Sequence, residues 1–260
     1  MGVAEVIPGI SGGTLALILG IYERLINAIS AFNLELINLL KNKRIFEAWD
    51  QVDGTFITLL IIGMLTSIFI FSSFLLFFME EYPFIFKSFL SSILLGSAFL
   101  EPLKPKMSAR FLIGLTLSIF ICSFLYLLPS RELVEVNHLY LFFSGFIAIT
   151  ALIIPGISGS FILLLLGTYT TMLVAVRDLN FYLIFIFLSG AIIGLLSVVR
   201  FIKFLYEKER HLLLSIFFGL VIFCIPLIWI NETSNSTSDF KLLYVSIGGT
   251  LGFLLIFLFK

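Results

Sequence analysis

Five stretches of this chain, 55–79, 109–128, 181–205, 212–230 and 240–259, are apolar over about the 20 residues that a helix needs to cross a bilayer. A sixth, 84–100, is shorter and carries Lys87 near its start, where a long aliphatic stem lets the ammonium group reach the interface. Residues are 60% apolar and 12% charged, with a mean hydropathy of +1.16, far from the balance of soluble domains. The fold class expected is therefore all-α, a polytopic bundle of transmembrane helices. Net charge is zero, which gives no overall attraction to nucleic acid. Cys122 and Cys224 lie far apart in apolar runs and read as packing residues rather than as a disulfide or a metal site.

Residues 139–176 resist that simple reading. As one helix these 38 residues would reach roughly 57 Å, against a hydrocarbon core of about 30 Å. The chain must break, and Pro155-Gly156-Ile157-Ser158-Gly159-Ser160 is where proline removes a helical donor and glycine permits other backbone angles. Helices on either side would meet at membrane depth, either as a re-entrant hairpin or as two passes.

Basic loop residues favour the cytoplasmic side. That rule puts Arg24, Lys41, Lys43 and Arg44 inside, then Lys104, Lys106 and Arg110, then Arg200, Lys203, Lys208 and Arg210. Acidic or mixed loops alternate with them outside. Segment 29–53 reads as a cytoplasmic amphipathic loop with a helix lying on the inner surface.

Shifted by 147 positions, the sequence matches itself: Pro8-Gly9-Ile10-Ser11-Gly12 falls on Pro155-Gly156-Ile157-Ser158-Gly159, and 12 of the 25 positions from Ala4 to Ala28 are identical. Gly20 pairs with Gly167 and Tyr22 with Tyr169. Shared leucines could arise from two unrelated apolar helices, but proline, glycine, serine and tyrosine in register imply duplication. Two units follow, 1–133 and 134–260. Each carries three full crossings plus a broken pair, an odd total, so the second copy is inverted, as in many transporters. The second motif has an apolar arm before it and the first has only seven residues before Pro8. The expectation is that an upstream segment precedes residue 1 or that the first unit lacks this arm.

Backbone groups freed at a break must face protein or a hydrated cavity. Helices opening at Gly12, Gly13 and Thr14, and at Gly159 and Ser160, would aim their positive ends and unpaired N–H groups at the breaks, an arrangement suited to anions. Ser11 and Ser158 add hydroxyl donors, and Pro8, Gly9, Pro155 and Gly156 make the breaks. The plain structural reading is that the glycines allow close helix packing and the serines cap locally. Arg24 can neutralise a phosphate at the inner surface or simply anchor the helix. Glu5, acidic in an apolar stretch, suits proton or ion coupling or head-group gating.

Residues 4–14, Ala-Glu-Val-Ile-Pro-Gly-Ile-Ser-Gly-Gly-Thr, followed by Leu17, Gly20, Tyr22, Glu23 and Arg24, resemble the signature of the PopT-type polyprenyl-phosphate translocases, and the second Pro-Gly-Ile-Ser-Gly resembles that family's repeat of it. The resemblance covers essentially the whole chain, with Glu5 where the family often has Asp. It implies a carrier that returns undecaprenyl phosphate from the outer to the inner leaflet of a bacterial cytoplasmic membrane for envelope synthesis, without a cofactor.

The rival reading is a channel or secondary carrier for small anions, since Gly- and Ser-rich helix ends serve any anion. A phosphatase would need a nucleophile with acid and base partners. His138 and His211 are the only histidines, and both are expected in loops on opposite sides. An enzyme is therefore not the reading the sequence favours. A purely structural membrane scaffold is the remaining alternative.

Overall fold

The protein is described here by a computed structural model covering residues 1–2, 11–100, 102–127, 137–229 and 238–258. Glu5, Pro8 and Gly9 therefore lie outside the described residues, as does most of the loop before 238. Among the described residues every regular element is an α-helix: α1 (Gly12–Ile18), α2 (Tyr22–Ser30), α3 (Leu34–Lys41), α4 (Ile45–Gln51), α5 (Gly54–Glu81), α6 (Pro83–Ala98), α7 (Ala109–Leu127), α8 (His138–Ile153), α9 (Gly159–Leu165), α10 (Tyr169–Arg177), α11 (Phe181–Lys208), α12 (Arg210–Trp229) and α13 (Ser238–Leu258).

Local chemistry sets many of the ends. Asn33 accepts from Glu35 N and Leu36 N at the start of α3, and Asn137 and Asn180 cap α8 and α11 in the same way. Pro83 opens α6 at a position where its missing N–H costs nothing. Each of the six long apolar stretches of the sequence is one helix, from α5, α6 and α7 to α11, α12 and α13. Helix α11 is by itself long and apolar enough to cross a membrane, and the pairs α4 with 54–67 of α5, bent by 65°, and α9 with α10, bent by 109°, add two more candidate crossings.

The element order recurs. Helices α1 and α9 each have 7 residues, α2 and α10 each have 9, and α5 and α11 each have 28. Packing is reciprocal as well, because α6 lies along α13 while α7 lies along α12. The contacts close up where glycine removes a side chain. On α11, a Cβ at Gly194 would come within 2.6 Å of Phe146 O of α8. On α13, a Cβ at Gly248 would run into Ile85 O and Ser88 Oγ of α6. With lipid tails as apolar as the side chains, such close approach supplies the packing that holds membrane helices together.

Three details differ from the sequence reading. The chain after the second motif does not continue as one helix to Val176 but turns again at 166–168, because Gly167 adopts φ +68 and ends α9; Gly20, with φ +70, ends α1 identically. The expected surface helix in 29–53 is two short helices, α3 and α4, separated by Asn42-Lys43-Arg44 with Lys43 at φ +57. His138 and His211, expected in loops, belong to the first turns of α8 and α12, since the flanking polar residues cap or begin these helices.

The close α6–α13 contact yields a paired expectation. Gly248→Ala must displace α6 backbone and should destabilise the purified protein by about 1–3 kcal/mol, whereas the neighbouring Gly249→Ala meets open space and should leave its Tm unchanged or raised. Thermal unfolding in detergent distinguishes the two; equal Tm values would contradict this packing.

Candidate functional site

The two motif regions, 147 residues apart in sequence, touch. Ser11 is the N-cap of α1: its Oγ accepts from Gly13 N at 3.1 Å and donates to Leu152 O, at the end of α8, at 2.8 Å. Thr14 Oγ1 accepts from Gly156 N at 2.9 Å. Tyr22, at the start of α2, donates from its hydroxyl to Ile153 O at 3.2 Å. Proline at 155 cannot donate and the helix ends at Ile153, so the Leu152 and Ile153 carbonyls and the Gly156 N–H are among the groups that helical bonding leaves over. Ser11, Tyr22 and Thr14 meet these three.

Glycines set how near the strands of this seam come. A Cβ at Gly13 would lie 2.5 Å from Ile153 O, one at Gly159 2.8 Å from Ala148 O, and one at Gly156, which has φ +87, 2.6 Å from the backbone of Leu220 in α12. Ser11 and Thr14 are almost fully buried, as are Leu17, Tyr22 and Phe217, whose ring meets Tyr22 edge-on at 5.6 Å. Ser158 opens α9 without capping it; its hydroxyl instead lies 2.8 Å from that of Ser160, which is exposed. Of the expected anion-binding residues, then, Ser11, Gly12, Gly13 and Thr14 stand against the second break, and Ser158, Gly159 and Ser160 open the helix that follows it. Arg24 stands apart from that set.

Arg24 instead makes a two-pronged ion pair with Asp53, at 2.5 Å from Nε and 3.0 Å from Nη2, and its guanidinium also covers the Phe56 ring at 4.4 Å. The hydrogen bonds from Arg24 hold the Asp53 carboxyl below its ordinary value, so the pair is fully charged at neutral pH. Both line a mouth of about 440 Å³ with Glu23, Asn27 and Gln51. The positions 147 residues on from Glu23, Arg24 and Ala28 are Thr170, Thr171 and Ala175, and these line a second mouth of about 350 Å³ with Asp178 and Asn180. One mouth carries a cation and the other does not.

The chain matches the model of the undecaprenyl phosphate translocase-like family over residues 1–243. The chain belongs to that family. It is also 35% identical over 231 residues to a protein of Vibrio cholerae serotype O1 named polyprenyl-phosphate transporter, covering 88% of this chain and 74% of the relative. No solved structure matches it. Family membership and the apolar helices together make this a membrane protein of the transporter class.

Sequence reasoning gave no role to Asp53 or to the carbonyls of Leu152 and Ile153, and it marked Tyr22 only through the repeat and the family signature. Asp53 had a local signal, since a short polar residue directly before a long apolar helix suits the left-handed φ of +48 found there. The partners of Ser11, Thr14 and Tyr22 had none, because backbone groups leave no mark in residue identity.

Thr14→Val keeps the side-chain shape but strands the buried Gly156 N–H, which should cost about 1–3 kcal/mol, while Thr14→Ser restores the acceptor. Tm values for the three proteins check this; a valine variant as stable as the serine variant would show that the seam bond carries no weight.

Proposed function

We propose that this protein translocates undecaprenyl phosphate, or a close polyprenyl phosphate, from the outer to the inner leaflet of a bacterial cytoplasmic membrane, returning spent carrier lipid for cell-envelope synthesis. The observation that carries the reading is the seam itself, in which buried hydroxyls of one motif copy are hydrogen bonded to the broken backbone of the other. Moving a phosphate through hydrocarbon unaided is prohibitive, but the polyprenyl tail is already at home in lipid. Only the head needs shelter.

The units 1–133 and 134–260 act as inverted repeats. The matching helix lengths, the twin glycine turns at Gly20 and Gly167, and the reciprocal α6–α13 and α7–α12 packing support that reading. In the closed seam Ser11 Oγ–H is held by Leu152 O and Thr14 by Gly156 N–H. When the repeats rock apart, the Ser11 hydroxyl and the Gly156 N–H lose these partners together. A phosphate between them replaces the lost bonds with charge-assisted ones, which are stronger. The Ser158 and Ser160 hydroxyls, the latter exposed, offer further donors. Arg24 receives the head at the inner mouth by leaving Asp53, and Glu5 gates or couples the movement. The chemistry is exchange of hydrogen bonds, with no covalent step and no cofactor.

Liposome flipping of a labelled polyprenyl phosphate tests this directly, with chloride and inorganic phosphate flux measured in parallel. Lipid movement without small-ion flux is expected. Gly159→Leu, which forces a side chain against Ala148 O, should abolish movement while membrane insertion persists. Small-ion flux with no lipid movement would favour an anion channel instead.

A further inference from the structure

A basic cavity lies away from the motif seam, where α7 and α12 begin. Its volume is about 230 Å³, and it is lined by Lys104, Lys106, Arg210 and His211 over a floor that includes Leu103 and Phe111. Leu103 and Phe111 are buried, so the floor is fixed, while the basic side chains are exposed. No carboxylate belongs to this lining among the described residues. The neighbouring Glu209 is engaged by Arg110 at 3.4 Å, an ion pair that ties the start of α7 to the turn before α12. Lys104 and Lys106 have no ion-pair partner among the described residues.

The cavity and the Arg24 mouth share a face of the molecule. Arg200 Nη2 of α11 donates to Phe32 O at 2.8 Å and Lys203 Nζ reaches Ser30 Oγ at 3.4 Å, which puts the second half of α11 beside the end of α2. Tyr206, one turn further on, stands within electrostatic reach of Glu23 at the mouth and of Arg210 at the cavity, and Arg210 Cζ lies 4.9 Å from its ring. A concave site lined by one sign of charge concentrates the opposite charge, and arginine with lysine suits the several oxygens of a phosphate. Basic pockets between helices on the cytoplasmic side are where anionic head groups settle. The volume admits a phosphate group and not a polyprenyl tail.

We propose that this cavity is a binding site for a phosphate group, separate from the motif seam and independent of whether the seam carries lipid. The group arrives either on a lipid or as free phosphate. The test uses the full chain in phosphatidylcholine nanodiscs, probed with phosphatidic acid by native mass spectrometry, with inorganic phosphate as competitor. Wild type should retain phosphatidic acid, and the K104Q/K106Q/R210Q triple variant should bind it at least about tenfold more weakly, given what charged hydrogen bonds contribute. A K41Q/K43Q/R44Q variant, altered on α3 and at the start of α4, should bind like wild type. The single Lys106→Glu change, exposed and remote from the core, should reproduce the loss and guards against misfolding of the triple variant. Displacement by inorganic phosphate identifies a site for the free anion as well; its failure identifies a lipid head-group site. Equal retention by wild type and both cavity variants, or equal loss in the control variant, overturns the proposal. Flipping activity is read separately, so loss of the transport reading leaves this one standing or falling on binding alone.

Discussion

A helix that breaks inside hydrocarbon frees backbone groups that lipid cannot satisfy, and every one of them must be met by protein or trapped water. Here two carbonyls and one N–H freed around the break after Ile153 are met by Ser11, Tyr22 and Thr14 from the other end of the chain. That exchange fixes the relative position of α1, α2 and α8. It also explains why the seam needs glycine at 13, whose Cβ would meet Ile153 O, while the glycines at 156 and 159 let the break lie against Leu220 of α12 and Ala148 of α8.

Around the seam the packing follows from the same scarcity. Helices in lipid gain little from burying apolar surface against each other, so contact depends on how close backbones can come. Glycines at 145, 190 and 194 bring α8 against α11, and those at 248 and 252 bring α13 against α6. The pairing of α6 with α13 and of α7 with α12 ties the middle of the chain to its C-terminal helices. A seam of polar bonds thus lies inside a frame of tight apolar contacts.

The sequence made the six long helices legible to within a few residues, because apolar run length and flanking Pro, Asn and Gly are local signals. The repeat was legible through Pro, Gly, Ser and Tyr in register, and it correctly placed helix starts at Gly12 and Gly159. The turn at Gly167 escaped notice even though Gly20 marks the same turn, because an isolated glycine among leucines reads as an ordinary packing residue until its φ is known. The split of 29–53 at Lys43 was hidden for a related reason: a lysine in a left-handed turn carries no sequence mark. Arg24 was found by charge, but its engagement with Asp53, 29 residues on, depends on how α4 bends into α5.

Ser11 and Leu152 are where the two motif regions meet. Short-range cysteine crosslinking in native membranes checks this contact, with Cys122 and Cys224 replaced, using the pair Ser11→Cys and Leu152→Cys beside each single-cysteine variant. Efficient crosslinking of the pair, and none within the single variants, is predicted. A pair that folds and inserts like the parent protein yet stays uncrosslinked would place the two motif regions apart and overturn the seam.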